Sequence, residues 1–465
     1  MTNDMTDDFK TIVGLEIHTQ LKTKSKMFCS CSNDAEGKAP NTVVCPVCLG
    51  MPGTLPVANK YAIELTLKIG LALGCTIPEI SKFDRKHYFY PDLPKGYQIS
   101  QYDQPFCIGG TMDVDDKTIR FNRVHLEEDA GKLVHPEGAD FSYVDLNRAS
   151  TPLAEIVTEP DLESPAQARK FLEELRELLR SIGVSDADME KGHLRCDANI
   201  SNVKDGKSSP IVEIKNLNSF KFVEKALMFE EQKLRENFES WPDKQTKQTH
   251  GFNSKIGETY SLREKEEAKD YRYFPEPDLP PFKVHEMFDL EKLGAGIGTL
   301  PQKAHQDLVD FGVEPSDAKY IAKHNELSKL FTDLKSTDAA KNNKIAKTLI
   351  NQKNITELSN GQLKDLIQLF DENIPSNILR SIITEAIKED RLPSEISKQN
   401  LSNNIDNLDE IIRDVLSKNS DAVEKYKSGK TQIVGFLVGE VMRTSLIPLN
   451  PSEVREALIG GLENE

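Results

Sequence analysis

The chain has 465 residues, 38% of them hydrophobic and 29% charged, and its 59 basic and 75 acidic residues leave a formal net charge of -16. This length suffices for two or three domains with cores of their own, and the composition is that of a globular protein without an apolar stretch of about 18 residues for a membrane span. The acidic balance excludes nucleic-acid binding through a generally basic surface.

The first ten residues, MTNDMTDDFK, are acidic where a secretory signal is basic. We therefore expect a cytosolic protein that does not associate with membranes. From about residue 11 to residue 285, short runs of alternating polar and apolar residues are broken by Pro and Gly. This pattern predicts a mixed α+β region of mostly antiparallel strands with a few helices.

The first predicted strand covers residues 11–21. Its apolar residues alternate with polar ones, which places Glu16 and His18 together on the polar face. An acid and an imidazole two residues apart are candidate ligands of a cation.

Four of the seven cysteines form two close pairs separated by thirteen residues, namely Cys29, Cys31, Cys45 and Cys48. Thiolates in such pairs can complete a tetrahedral zinc shell in a reducing compartment. Because a closed four-cysteine shell leaves no open position for a substrate, we predict a structural Zn²⁺. Four thiols without a metal are the alternative.

Three further segments repeat the alternation, at residues 121–129, 195–201 and 212–215. Their polar faces carry Arg123, His125, Glu127, Asp129, Arg195, Asp197, Asn199, Ser201, Glu213 and Lys215. A solvated sheet face explains any one strand taken alone. Acids, amides, His and Arg together are the set that binds divalent cations and phosphates, so we predict that the strands adjoin and hold Mg²⁺ beside a nucleotide.

Two helices are signalled by their ends. Ser164 and the proline after it predict the start of a helix that Gly183 closes, and Ser219 predicts the start of another. Pro and Gly become frequent between residues 275 and 301, where we place the main boundary, and short helical patterns follow it. The last helix is predicted to start at Asn450.

A Gly-rich phosphate loop is missing from this pattern. The triplet Gly429-Lys430-Thr431 looks like the end of such a loop, but Glu424 stands at the required earlier glycine position and no strand precedes it. A nucleotide site would therefore be built from side chains of the sheet face and a metal ion.

The motifs also carry a resemblance to a known family. They are VGLEIHTQL from residue 13, the two cysteine pairs, RKHYFYPDLPKGYQISQ from residue 85, HLEEDAGK from residue 125, RCDANIS from residue 195, EIKNLNSF from residue 213 and DYRYFPEPDLPP from residue 270. With these motifs the chain resembles, over essentially its whole length, the B subunits of aspartyl/glutamyl-tRNA(Asn/Gln) amidotransferases (the GatB family).

The resemblance implies a fold in three parts. Residues 1–290 would form a glutamine-synthetase-like cradle domain, built on an antiparallel sheet and carrying a small zinc knuckle. Residues 291–395 would form an all-α helical domain. Residues 396–465 would form a YqeY-like tail domain that contacts tRNA.

It also implies the activity and the partners. ATP would phosphorylate the side-chain carboxylate of Glu-tRNA(Gln) or Asp-tRNA(Asn), and ammonia would displace the phosphate to give Gln-tRNA(Gln) or Asn-tRNA(Asn). An amidase subunit (A) would supply the ammonia, and a small C subunit would complete the heterotrimer.

Residue by residue, the resemblance implies a catalytic role for Glu16, His18, Glu127, Glu128 and Glu213. Of these, Glu16, His18 and Glu127 would hold Mg²⁺, and strand alternation favours Glu127 over Glu128. Residues that match the nucleotide-lining positions are Lys95, Asp197, Asn199 and Lys215. The chain departs from the family near Tyr260, where Arg is usual, and at residues 445–450, where a more basic stretch is usual.

Two other functions fit part of the pattern. One is a zinc-stapled tRNA-binding module whose carboxylates are structural. The other is a stand-alone amide ligase of the glutamine synthetase kind, although a small-molecule substrate would leave the long helical part without a use.

Overall fold

The computed structural model describes residues 8–136, 138–241, 247–262, 271–352, 354–370, 374, 376–405, 408–444 and 451–464. The chain divides into two compact units, Met1–Leu300 and Pro301–Glu465. The strands are β1 Lys10–Gln20, β2 Ile80–Ser81, β3 Asp84–His87, β4 Tyr97–Ser100, β5 Cys107–Ile108, β6 Thr111–Val114, β7 Lys117–Glu128, β8 Lys132–Val134, β9 Tyr143–Asp145, β10 Pro152–Thr158, β11 Leu194–Lys204, β12 Lys207–Ser208, β13 Val212–Leu217, β14 Gln248–Asn253, β15 Glu258–Ser261, β16 Phe274–Pro275 and β17 Phe282–Lys283.

The α-helices of the first unit are α1 Lys60–Ala72, α2 Pro165–Ser181, α3 Phe220–Glu236, α4 Val284–Met287 and α5 Leu290–Ala295. Those of the second unit are α6 Pro301–Asp310, α7 Pro315–Ala322, α8 Asn325–Leu334, α9 Ala339–Asn351, α10 Asn360–Leu369, α11 Ser376–Glu389, α12 Pro393–Ile405, α13 Leu408–Lys418, α14 Ser420–Lys427, α15 Val434–Thr444 and α16 Pro451–Asn464.

A large sheet organises the first unit, with the strand order β15-β14-β13-β11-β1-β10-β7-β5 and with β12 and β6 attached to β11 and β7. The prediction of a mixed α+β unit is confirmed. The neighbouring strands pair antiparallel except for β13 and β14, which run parallel. This pair departs from the expected antiparallel sheet because α3 connects the two strands as a crossover, which returns the chain in the same direction.

Alternation along β1 separates the two faces of this sheet. Val13, Leu15 and Ile17 are fully buried on the side that α1, α2 and α3 cover, whereas Glu16 and His18 point to the other side. The core is therefore built on one face, and the polar side chains of β1, β11, β13 and β7 are free to form a site on the other.

Both predicted helix starts are confirmed. The Ser164 side chain accepts a hydrogen bond from the Gln167 N–H at the start of α2, and Ser219 does the same for Phe222 at the start of α3. Gly183 follows α2 with a φ of 72°, a left-handed conformation that suits glycine.

The second unit is helical in its described part, as predicted. Its buried apolar residues form two clusters, one between residues 304 and 396 and the other between residues 412 and 462. The predicted start of the last helix at Asn450 lies outside the described residues, and α16 is described from Pro451. Within the described part of the chain, every helix is too short or too polar to cross a lipid bilayer.

Candidate functional site

The polar face of the large sheet carries one compact group of acids and histidines. Because β10 lies between β1 and β7, His18 faces Glu155 of β10, and Glu155 in turn faces His125 of β7. Side chains that face each other in this way lie about 5 Å apart at their Cβ atoms. We call Glu16, His18, His125, Glu127 and Glu155 the acid–histidine cluster.

Glu155 lies at the centre of this cluster. Its Oε2 atom is 3.2 Å from His18 Nε2 and 3.2 Å from His125 Nε2. Glu127 also reaches both imidazoles, at 3.8 Å from His18 Nε2 and 3.4 Å from His125 Nε2. Glu16 Oε1 lies 3.9 Å from His18 Nε2. Five side chains from three strands thus converge on one small volume.

Burial and the neighbouring carboxylates have opposite effects on the pKa values of the two histidines. Burial disfavours both imidazolium ions, but the carboxylates, Glu155 first, outweigh it and raise the pKa of His18 to about 9 and that of His125 to about 8. Burial also acts to raise the pKa of Glu155, yet the two histidines hold it well below its ordinary value. At neutral pH the two histidines therefore carry protons, with which a bound cation would compete.

The cluster offers two overlapping sets of metal ligands. Glu16, His18 and Glu155 form one set, and His125, Glu127 and Glu155 form the other, each with its donor atoms within 4.8 Å of one another. Ligands on opposite sides of a Mg²⁺ ion with bonds of about 2.1 Å are about 4.2 Å apart. Three carboxylates supply the hard oxygen donors that Mg²⁺ or Mn²⁺ prefers. The residues present therefore fit the predicted divalent cation.

Lys86 of β3 brings a positive charge to this cluster. Its ammonium lies 5.0 Å from the ring centre of Tyr271 and 6.0 Å from that of Tyr88. Burial acts to lower the pKa of Lys86, but Glu127 and the other anionic groups outweigh it and raise the pKa. The ammonium thus stays charged beside the carboxylates, as a site that handles phosphate groups requires.

Glu128, which we predicted to act with Glu127, lies away from the acid–histidine cluster. Consecutive side chains of a strand point to opposite faces, so Glu128 turns towards the neighbouring β4. Its carboxylate accepts hydrogen bonds from the Lys95 ammonium and from the Ile99 N–H. Of the two glutamates, only Glu127 reaches the histidines.

The other predicted residues form an adjoining network of ion pairs. Lys215 Nζ lies 2.5 Å from Asp197 Oδ2 and 3.2 Å from Glu213 Oε1. Asn199 faces Glu213 across β11 and β13, and its buried Oδ1 atom accepts no hydrogen bond from the described residues. Glu213 therefore lies on the same sheet face as the acid–histidine cluster but outside it.

The four predicted cysteines come together in a second site. Their sulfur atoms lie within 4.8 Å of one another, and the sulfurs of Cys45 and Cys48 are 3.9 Å apart. Thiolates about 2.3 Å from a tetrahedral zinc ion are about 3.8 Å apart. Hydrogen bonding with Cys29 is the main reason that the pKa of Cys48 falls to about 5. The side chains present fit a Zn²⁺ ion.

Reasoning from the sequence missed Glu155 and Lys86. Residues 152–158 read PLAEIVT, an apolar run in which a single acid interrupts a strand that is buried on both sides. A lone charge in such a run is a signal, because burying an unpaired carboxylate is costly. Lys86 lies in the motif that begins at residue 85, but its strand of four residues is too short to show an alternating pattern and belongs to a different sheet.

Comparison with known proteins identifies the family. Residues 11–289 match the GatB/GatE catalytic domain, and residues 324–462 match the GatB domain. The first match contains all five residues of the acid–histidine cluster and the four cysteines.

Relatives agree over nearly the whole chain. The chain is 44% identical to the B subunit of the aspartyl/glutamyl-tRNA(Asn/Gln) amidotransferase of Pseudothermotoga lettingae, over 97% of this chain and 98% of that protein. It is 43% identical to the protein of that name from Thermotoga maritima, over 98% of this chain and 100% of that protein. The chain therefore belongs to the family of amidotransferase B subunits, and the predicted resemblance and enzyme class, a carbon–nitrogen ligase, are confirmed.

Proposed function

We propose that this chain activates the side-chain carboxylate of Glu-tRNA(Gln) or Asp-tRNA(Asn) with ATP and passes it to ammonia. The observation that carries the proposal is the convergence of Glu16, His18, Glu127 and Glu155 beside the Lys86 ammonium. Carboxylates and imidazoles that meet on a sheet face can bind a divalent cation in exchange for the histidine protons, and a divalent cation beside a lysine is an arrangement suited to phosphate groups.

The reaction has two steps. A carboxylate oxygen of the aminoacyl group attacks the γ-phosphorus of ATP, and the bond from that phosphorus to ADP breaks. Ammonia then attacks the acyl carbon, and phosphate leaves with the C–O electron pair while a proton passes to a base. Activation is necessary because an ionised carboxylate is a poor acyl donor without a better leaving group.

Residues of the chain divide the work between them. Glu16, His18, Glu127 and Glu155 would hold Mg²⁺, which when bound would offset negative charge on the phosphates. The Lys86 ammonium would face the same charge. Asp197 and Glu213 hold Lys215 in place at the side of the cluster. We assign the binding of the nucleotide to this side, with Lys215 and Asn199 as contacts.

Lys95 has a separate role in the proposal. Glu128 and the aromatic rings of Phe28 and Tyr97 hold its ammonium at the border of the site. We assign this border, from Lys95 to Tyr97, to the nucleotide and the aminoacylated tRNA end. Glu128 thus acts on the site through Lys95.

The rest of the chain completes the assembly that we propose. The four cysteines bind a structural Zn²⁺, and the domains follow the borders expected at residues 290 and 395, with the tail contacting tRNA. Ammonia comes from an amidase subunit, a small third subunit joins the two, and the complex works in the cytosol, where aminoacyl-tRNA is used.

The test is the reconstituted complex with Glu155→Gln or Glu16→Gln. Each variant keeps the shape of the side chain but removes one charge from the cluster. We expect ATP-dependent formation of Gln-tRNA(Gln) to fall by at least about 100-fold, in line with the loss of a charged group that stabilises a transition state. Glutamine hydrolysis by the complex should persist, because the amidase subunit performs it.

Glu286→Gln is the matched control, since Glu286 is exposed and pairs only with Lys283 among the described residues. Normal amidation by both cluster variants would refute the catalytic assignment and favour a module that only binds tRNA. ATP binding by the isolated chain separates these two functions directly.

A further inference from the structure

Lys26 is a lysine that the fold buries beside the four cysteines. Only 1% of the residue is exposed. Its ammonium donates a hydrogen bond to the Val43 carbonyl over 2.9 Å and lies 3.8 Å from the sulfur of Cys48. In the described part of the chain, no carboxylate forms an ion pair with it.

A buried ammonium requires an anion close by. Burying an unpaired charge is strongly unfavourable, and one backbone carbonyl does not neutralise an ammonium. Among the described residues, the acidic group that accepts a hydrogen bond from the Lys26 ammonium is the sulfur of Cys48, one of the four cysteines. The position of Lys26 therefore makes physical sense when the cysteines are thiolates.

The charge balance of a zinc site leads to the same conclusion. Four thiolates and one Zn²⁺ carry a total charge of -2, which is itself costly to bury. The Lys26 ammonium reduces this total to -1. The ammonium also donates towards the Cys48 sulfur, which would otherwise be more open to a proton, and protonation of a thiolate weakens its hold on the metal.

The backbone holds Lys26 in this place. Its N–H donates to the Cys31 carbonyl, so that the residue is part of the turn that presents Cys29 and Cys31. The Asn59 side chain donates to the carbonyl of Lys26 and caps α1. The ammonium is thus fixed against the cysteines by the same segment that carries two of them.

We propose that Lys26 is the counter-ion of the cysteine site and that its positive charge retains the zinc. Lys26 is a positioning residue of that site and takes no part in the amidation chemistry. The inference rests on zinc occupancy and is independent of the acid–histidine cluster.

Three substitutions separate charge from packing. Lys26→Gln removes the charge but keeps an N–H donor for Val43, whereas Lys26→Arg keeps the charge. Lys24→Met is the matched control, because Lys24 is exposed two residues away. The full-length zinc-loaded chain is mixed with a chromogenic chelator, and the rate of zinc release is followed.

Alkylation of the cysteines, followed by mass spectrometry, is the second readout. In Lys26→Gln we expect zinc release and cysteine alkylation to be about ten- to a hundred-fold faster than in the unchanged chain, the size of effect seen when other residues that support metal ligands are replaced. Lys26→Arg and Lys24→Met should remain within about two-fold of the unchanged chain on the same scale.

Wild-type release rates in Lys26→Gln would overturn the inference. If Lys26→Gln does not fold by circular dichroism, a wild-type zinc affinity of folded Lys26→Met would overturn it instead, and faster release would support it. A wild-type chain that binds no zinc would overturn the zinc site together with the role of Lys26, while the proposed amidation would still stand on the other site.

Discussion

Binding of a divalent cation to the acid–histidine cluster should depend steeply on pH. The carboxylates around His18, Glu155 first among them, raise its pKa to about 9 against the opposing effect of burial. A cation that takes the His18 nitrogen must displace this proton. Affinity should therefore rise with pH up to about 9 and level off above it.

The size of the effect follows from the pKa. At pH 7, a group with a pKa of about 9 is protonated in about 99% of molecules, so the cation should bind about 100-fold more weakly at pH 7 than above pH 9. If the cation also displaces the proton of His125, whose pKa is about 8, its binding at pH 7 would be weaker by a further factor of up to about ten. Glu155→Gln should flatten the dependence, because the carboxylate that raises both values is gone.

The assay is titration with Mn²⁺, which takes the same oxygen ligands as Mg²⁺, with free Mn²⁺ read by electron paramagnetic resonance at several pH values. His18→Gln should remove most of the pH dependence, and the exposed His135→Gln should not change it. An affinity that stays constant between pH 7 and pH 9, or one that keeps its slope in His18→Gln, would refute the reasoning.

Further predictions concern the zinc knuckle, the N-terminal cap of α2 and the tail. Gly50 and Gly53 both have positive φ, but only at Gly50 would an added Cβ meet Lys95, at 2.7 Å from Cγ. Gly53→Ala should lower the free energy of unfolding by about 1 to 2 kcal/mol because of its positive φ, and Gly50→Ala should lower it further and also raise the KM for ATP, because its Cβ displaces Lys95. Ser164→Ala should lower the free energy of unfolding by about 1 kcal/mol in urea titration, since Ser164 caps α2. Removing residues 396–465 should weaken tRNA affinity more than it slows ATP use at saturating tRNA, and unchanged affinity would contradict the tail assignment.

Local signals in the sequence predict the elements that build the site. The alternation in β1 follows from side chains that must be buried on one face, and the caps of α2 and α3 follow from unpaired N–H groups at helix starts. The two cluster residues of β1, Glu16 and His18, could therefore be predicted from the sequence to lie side by side on the polar face. The spacing of the cysteines was also informative, because the ligands of one metal ion must lie close together.

The order of the strands is what the sequence does not reveal. We expected β1 and β7 to adjoin, but β10 lies between them, and its only acid becomes the centre of the cluster. Strand order depends on long-range pairing, which leaves no periodic signal in a single strand. The choice between Glu127 and Glu128, in contrast, could be made from the sequence, because alternation along one strand favoured Glu127.

An isotope experiment tests the central claim most directly. Glu-tRNA(Gln) whose side-chain carboxylate is labelled with ¹⁸O is incubated with the complete amidotransferase, ATP and glutamine, and the phosphate released is examined by mass spectrometry. Activation as an acyl phosphate predicts one ¹⁸O atom in the inorganic phosphate for each amide formed, and no transfer with Glu155→Gln. Amide formation without ¹⁸O in the phosphate would contradict phosphoryl transfer at this cluster.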